Sequence, residues 1–70
     1  MSNSVYKIIE VVGTSDVSFG DAAKAAVETA AKSLKDLRVA EVKELDMKIE
    51  NGKVVAYRAK VSLSFKYVAD

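Results

Sequence analysis

The sequence predicts an α+β fold made of a strand, a helix and a long β-hairpin. Three observations predict it. A β-branched and aromatic run opens the chain, an alanine-rich stretch with helical spacing follows, and two long strand-like runs flank Asn51-Gly52.

Val5 to Val12 (VYKIIEVV) has the composition of a strand. It is expected to stop at Gly13-Thr14-Ser15-Asp16, a cluster of turn formers. Ser18, with Asp21 three residues on, resembles a capping box in which Asp replaces the usual Glu, and Ser15 is a rival cap. From there to about Lys35 the chain reads as helix, because alanine recurs at 22, 23, 25, 26, 30 and 31. Phe19, Ala23, Ala26, Val27, Ala30 and Leu34 share one face, while Lys24, Glu28, Lys32 and Lys35 lie largely away from it. Small alanines on the buried face let a helix sit close to a sheet.

Arg38–Ile49 and Lys53–Tyr67 are the two hairpin runs. Asn51-Gly52 between them suits a type I′ turn, which needs positive φ at both central residues. A two-residue loop sets Glu50 opposite Lys53. Carried down the strands without a bulge, that register puts Ala40, Val42, Glu44, Asp46 and Lys48 beside Leu63, Val61, Ala59, Tyr57 and Val55. This face is assigned to the helix. The other face carries Val39, Glu41, Lys43, Leu45 and Met47 beside Ser64, Ser62, Lys60, Arg58 and Ala56. A bulge would flip part of the assignment, because the side-chain period is two.

Length then bears on assembly. A strand of about fourteen residues spans roughly 45 Å, and a helix of about eighteen residues roughly 27 Å. One helix cannot cover such a hairpin. A 70-residue chain is also short for a self-sufficient core, and with no cysteine and no histidine it has neither a disulfide nor a Cys/His zinc site as a staple. Residues 1–70 are read as one domain whose overhanging strands are covered by identical subunits in closed symmetry.

Composition excludes several function classes. Eleven basic and ten acidic residues nearly cancel, with no basic stripe of the kind a nucleic-acid binder shows. No apolar run approaches a membrane span, and Met-Ser-Asn-Ser-Val-Tyr-Lys is too polar for a secretory leader, so a cytoplasmic protein is expected. Serines 15, 18, 33, 62 and 64 have no histidine to activate them. Glu10, Glu41, Glu44 and Asp46 are expected to face solvent or to balance Lys43, Lys48, Arg58 and Lys60, rather than to perform acid–base chemistry. Val12-Gly13-Thr14-Ser15, between strand and helix, could cradle an anion, but a single glycine there reads as a turn. No enzyme is expected.

VYKIIEVVGTS, the helix after it, LRVAEV at the start of the second strand and NGKVVAYRAKVSLSF on the hairpin return follow one another in an order and spacing that resemble the dodecin family. The resemblance covers nearly the whole chain. It implies a β-α-β-β subunit, a three-stranded antiparallel sheet wrapped around one helix, with twelve copies forming a hollow homododecamer. It also implies storage or sequestration of flavin (riboflavin, FMN or FAD) as stacked pairs without turnover, and some members hold coenzyme A or metal ions. Flavin-binding members carry a pattern like R-W-F-E-V on the second strand, whose Trp stacks on the flavin ring. This chain has Arg38-Val39-Ala40-Glu41-Val42. They also carry a Gln on the third strand, where Arg58 stands in Tyr57-Arg58-Ala59.

The ligand positions implied by the resemblance are therefore Val39 and Arg58, with Glu41, Lys43 and Leu45 as neighbours on one sheet face. Each lost aromatic contact forfeits about 0.5–1.5 kcal/mol beyond area burial. Weak flavin binding or none is expected. The departure resembles a sub-group that lacks the Trp and includes a calcium-binding member, so calcium or another ion is the alternative guest, with no metal ligands assigned. The expected partners are copies of the chain and a small-molecule or ion ligand, with neither nucleic acid nor membrane. Symmetry-related copies of Arg58 would repel one another, which favours an internal Arg–carboxylate network over an anionic guest.

Overall fold

A computed structural model describes residues 4–66. The first three residues and Tyr67, the expected end of the last strand, lie outside the described residues. The element order is β1 (Tyr6–Ser15), α1 (Phe19–Ala31), β2 (Leu37–Glu50) and β3 (Lys53–Lys66). The sheet is antiparallel in the order β1-β3-β2, with α1 on one face. The expected β-α-β-β topology is present.

β1 does not stop at Val12. It runs through Gly13 and Thr14 to Ser15, which pairs with Tyr57. Gly13 is a buried strand residue and not a turn, because α1 lies directly on it. A Cβ at Gly13 would stand 2.0 Å from the Ala22 carbonyl oxygen and 2.9 Å from the Ala26 Cβ. A glycine inside a strand marks such a close approach.

Ser18 is the N-cap of α1, and its Oγ accepts from the Asp21 amide at 3.0 Å. Ser15 is not a rival cap. Its Oγ accepts from the Val17 amide at 2.9 Å and closes the turn before the helix. The helix ends at Ala31, short of Lys35. Beyond it the amides of Ser33 and Leu34 both turn back to the Ala30 carbonyl, and Ser33 Oγ also donates there at 3.4 Å. A serine bonding locally in this way competes with helix continuation. Asp36, at φ 60°, then redirects the chain into β2.

The core is Ala22 and Ala26 of α1 against Ala59, Val61 and Leu63 of β3. Ile9, Val11, Ala23, Val27, Ala30 and Leu37 pack around it, half-buried. Thirteen helical residues span only about 20 Å, whereas the chain is 55 Å in its longest extent. α1 therefore covers β1 and the C-terminal part of β3, and most of the hairpin extends past it. Every residue of β2 except Leu37 is exposed.

Asn51 and Gly52 have φ of 52° and 75°, as a type I′ turn requires. Near this turn Glu50 pairs with Lys53, and near the other end Ala40 pairs with Leu63 and Val42 with Val61, in the expected register. Between them the register is shifted by one residue. The irregularities fall between Lys48 and Ile49, where Val55 is the extra residue on β3, and between Val42 and Glu44, where Lys43 is the extra residue on β2. In the shifted segment Leu45 pairs with Ala59, Asp46 with Arg58 and Met47 with Tyr57.

Residues directly opposite each other share a face. Leu45 and Met47 therefore stand on the helix-bearing face with buried Ala59, and Glu44, Asp46 and Lys48 stand on the open face. The expected assignment of these five residues is reversed. The bulges do this: each adds one residue, and one residue exchanges the faces.

Candidate functional site

The open face of the sheet, opposite α1, is where the sequence-derived ligand positions fall. Its rows follow from the register: Ile8–Ser64–Val39, Glu10–Ser62–Glu41, Val12–Lys60–Glu44 and Thr14–Arg58–Asp46, across β1, β3 and β2. The face is apolar at the Val39 end and charged toward the hairpin.

Val39 is exposed and aliphatic. The aromatic of this face among the described residues is Tyr6, on β1 at the far edge. Arg58 occupies the same face as Val39, as expected. The two stand six residues apart along β3, since Val39 pairs with Ser64, which amounts to about 20 Å. One chain does not bring them into a single pocket. Glu41 shares the face, and Lys43 at its bulge reaches Glu41, Nζ to Oε1 at 3.9 Å. Leu45 does not share it, for the reason given above.

Arg58 is the most tightly engaged group. Its Nε donates to Asp46 Oδ1 at 2.7 Å and its Nη2 donates to Oδ2 at 3.1 Å. This is a side-on bidentate pair, the geometry that suits a planar guanidinium and a carboxylate. The hydrogen bond from Arg58, reinforced by its charge, holds the Asp46 carboxyl below its ordinary range despite some desolvation. The same bond raises Arg58. An Arg–carboxylate pair of the expected kind exists within one chain, and Asp46 is the carboxylate that supplies it. The sequence reading had placed Asp46 on the apolar face, and a carboxylate assigned to an apolar face was the available signal of a bulge.

The remaining pairs are looser: Lys60 to Glu10 at 3.8 Å, Lys48 to Glu50 at 3.5 Å and Lys24 to Glu28 at 4.0 Å, all solvated. Such pairs contribute little to stability. The four carboxylates considered for acid–base chemistry do not converge. Three are in ion pairs, and Glu44 is exposed opposite Lys60. Among the described residues no three acidic side chains are grouped to hold a metal ion.

A concavity lies between α1 and β1, a trough of about 480 Å³. Ile9, Val11, Gly13, Ala26, Ala30 and Leu34 are among its lining residues, and no charged side chain lines it. Neither Val39 nor Arg58 reaches it. Thr14, in the segment expected to be a turn rather than an anion cradle, lies on β1 opposite Arg58.

Comparison with known proteins agrees with this geometry. The family model described as Dodecin matches residues 5–68. The chain is 46% identical over 63 residues to the calcium dodecin of Mycobacterium tuberculosis, covering 90% of this chain and 89% of that one. The fold matches the dodecin of Streptomyces coelicolor with a TM-score of 0.92 at 34% identity, over 100% of both chains. It matches the crystal structure of the M. tuberculosis calcium dodecin, described as calcium chelating with a novel calcium-binding site, with a TM-score of 0.83 over 96% of each chain.

Proposed function

Because the chain belongs to the dodecin family, we propose that it works as a non-enzymatic, closed homo-oligomeric shell of twelve copies that takes up a cation, calcium before others, rather than flavin. The observation that carries this reading is the open face itself. Its family stacking position is Val39, and its other family position, Arg58, is bound to Asp46. A flavin ring finds neither a π-face nor a free amide there.

The similarity to a calcium dodecin supports the choice of ion. Calcium takes six to eight oxygen ligands, and one chain groups no three acidic residues among those described. Among the described residues, the carboxylates of a single copy do not by themselves make a calcium site. Carboxylates from neighbouring copies, or backbone carbonyls, have to complete any site. The exposed hairpin supports assembly: Leu45, Met47, Ile49 and Val54 are large apolar groups in water in the isolated chain.

The test is one preparation examined three ways. Light scattering should give about twelve times the 7.6 kDa chain mass. Calorimetric titration of the chelator-stripped protein should show saturable calcium binding that survives excess magnesium. The purified protein should be colourless. A monomeric mass, or a yellow protein indifferent to calcium, would overturn the reading.

A further inference from the structure

We propose that Asp46 is a built-in occupant of the Arg58 guanidinium, which keeps this arginine closed to anionic guests carrying a phosphate group. The proposal rests on the reading of the open face as the ligand-bearing face.

Three observations lead to it. First, the pair is bidentate: Asp46 takes both N–H groups of the Nε/Nη2 edge, at 2.7 and 3.1 Å. That edge is the one a phosphate would use for two parallel hydrogen bonds. Second, the pair is built by the fold. In the unbulged register Arg58 would face Leu45, and the one-residue shift between the two bulges sets Asp46 opposite it instead. A carboxylate fixed on the neighbouring strand competes at an effective concentration that a dissolved anion does not reach. Third, donors for an anion remain once the carboxylate is gone. Thr14 is the other cross-strand neighbour of Arg58, and Lys60 lies two residues on along the same face, opposite Glu44 and held to Glu10 only at 3.8 Å, so the guanidinium itself carries the gain. Asp46 thus acts as a specificity determinant, a tethered anion that excludes free ones.

The experiment uses the full-length assembled protein, labelled with ¹⁵N-arginine, and Asp46→Asn. The asparagine keeps the volume of the side chain and removes its charge. Inorganic phosphate is titrated at low ionic strength, following the Arg58 Nε–H resonance and the heat of binding. The parent should show no response at Arg58 at millimolar phosphate. Asp46→Asn should bind phosphate about fivefold more tightly or better, the scale of displacing a solvated ion pair. The gain should vanish in Asp46→Asn/Arg58→Gln. FMN should follow phosphate and riboflavin should not, which assigns the effect to the phosphate group.

Equal phosphate binding by parent and Asp46→Asn, or binding retained in the double variant, would overturn the proposal. Should Asp46→Asn fail to assemble, the parent still decides, because a phosphate-induced shift of its Arg58 resonance contradicts a closed guanidinium. Light scattering and calcium titration of the parent report on the shell separately, so failure of that reading is distinguishable from failure of this one.

Discussion

Gly13→Ala should destabilise the protein by about 3 kcal/mol, the upper range for overpacking. The added Cβ would lie 2.0 Å from the Ala22 carbonyl oxygen, 3.1 Å from the Ala22 carbonyl carbon and 2.9 Å from the Ala26 Cβ. Two of these three atoms are helix backbone and have no rotamer to escape into. Ordinary contact would require α1 to retreat by about 1 Å or more. Ala22 and Ala26 would then leave Val61 and Leu63, and a gap of that size forfeits a quarter to a half of each dispersion contact along the seam. For a domain of this length the cost corresponds to a fall of roughly 12–24 °C in Tm. The assay is a circular-dichroism melt at matched chain concentration, since assembly makes Tm depend on concentration. Gly20→Ala is the internal control. Its Cβ would meet only Ser18 Oγ, at 3.8 Å, and a helical alanine in place of glycine should stabilise by about 0.5–1 kcal/mol. A Gly13→Ala variant melting within two or so degrees of the parent would refute the claim that glycine sets the helix–sheet distance.

Gly52→Val should lower stability by about 1–2 kcal/mol through left-handed strain alone, because its φ is 75° and no atom crowds the site; melting curves that superimpose on the parent's would contradict the turn geometry. Because Asp46 is held below its ordinary value of 3.8, the pair's contribution is fully present above that pH and is lost as pH falls through the lowered folded value. Asp46→Asn should therefore make stability less dependent on pH below that value, and an unchanged acid-unfolding limb would count against the pair. Riboflavin fluorescence should not be quenched by the parent, and quenching should appear in Val39→Trp/Arg58→Gln if the family pocket survives; tight quenching by the parent would refute the reading of both positions.

The order of elements was legible because each rests on a local signal. Asn51-Gly52 specifies its turn by φ, Ser18 caps the helix by a hydrogen bond three residues long, and the alanines carry helix propensity. What was not legible depends on partners distant in sequence. Gly13 read as a turn because nothing nearby reveals that α1 packs on it. Leu45 and Met47 went to the wrong face because Lys43 and Val55, which break the ladder, are unremarkable strand residues. The apolar pattern held the clue. Val42 followed by Leu45 and Met47 breaks strict alternation, and the break coincides with the bulge at Lys43. At the site, the placement of Val39, Glu41 and Arg58 on one face survived. Val39 and Glu41 pair with Ser64 and Ser62 as expected because the two bulges between them and the turn cancel, and Arg58 shares their face because β3 carries no extra residue between 58 and 64.

The separation of Val39 from Arg58 ties ligand binding to assembly. Both are on the open face, but their rows stand six residues apart along β3, a distance of about 20 Å. That separation is larger than a flavin ring system, so one ring does not contact both positions in one chain. The carboxylates are similarly dispersed, with Glu10 and Glu41 on opposite edge strands flanking Ser62. On the function proposed above, a site built from these side chains is completed by a second copy, and the guest then binds the assembly and not the separated chain. By linkage, a ligand that binds only the assembled form stabilises it in proportion to the logarithm of its concentration. Calcium should then raise the Tm of the oligomer and shift the dissociation seen by light scattering to lower chain concentration. Calcium binding by dissociated chains, at the same affinity per chain as in the assembled protein, would show that a single copy holds a complete site.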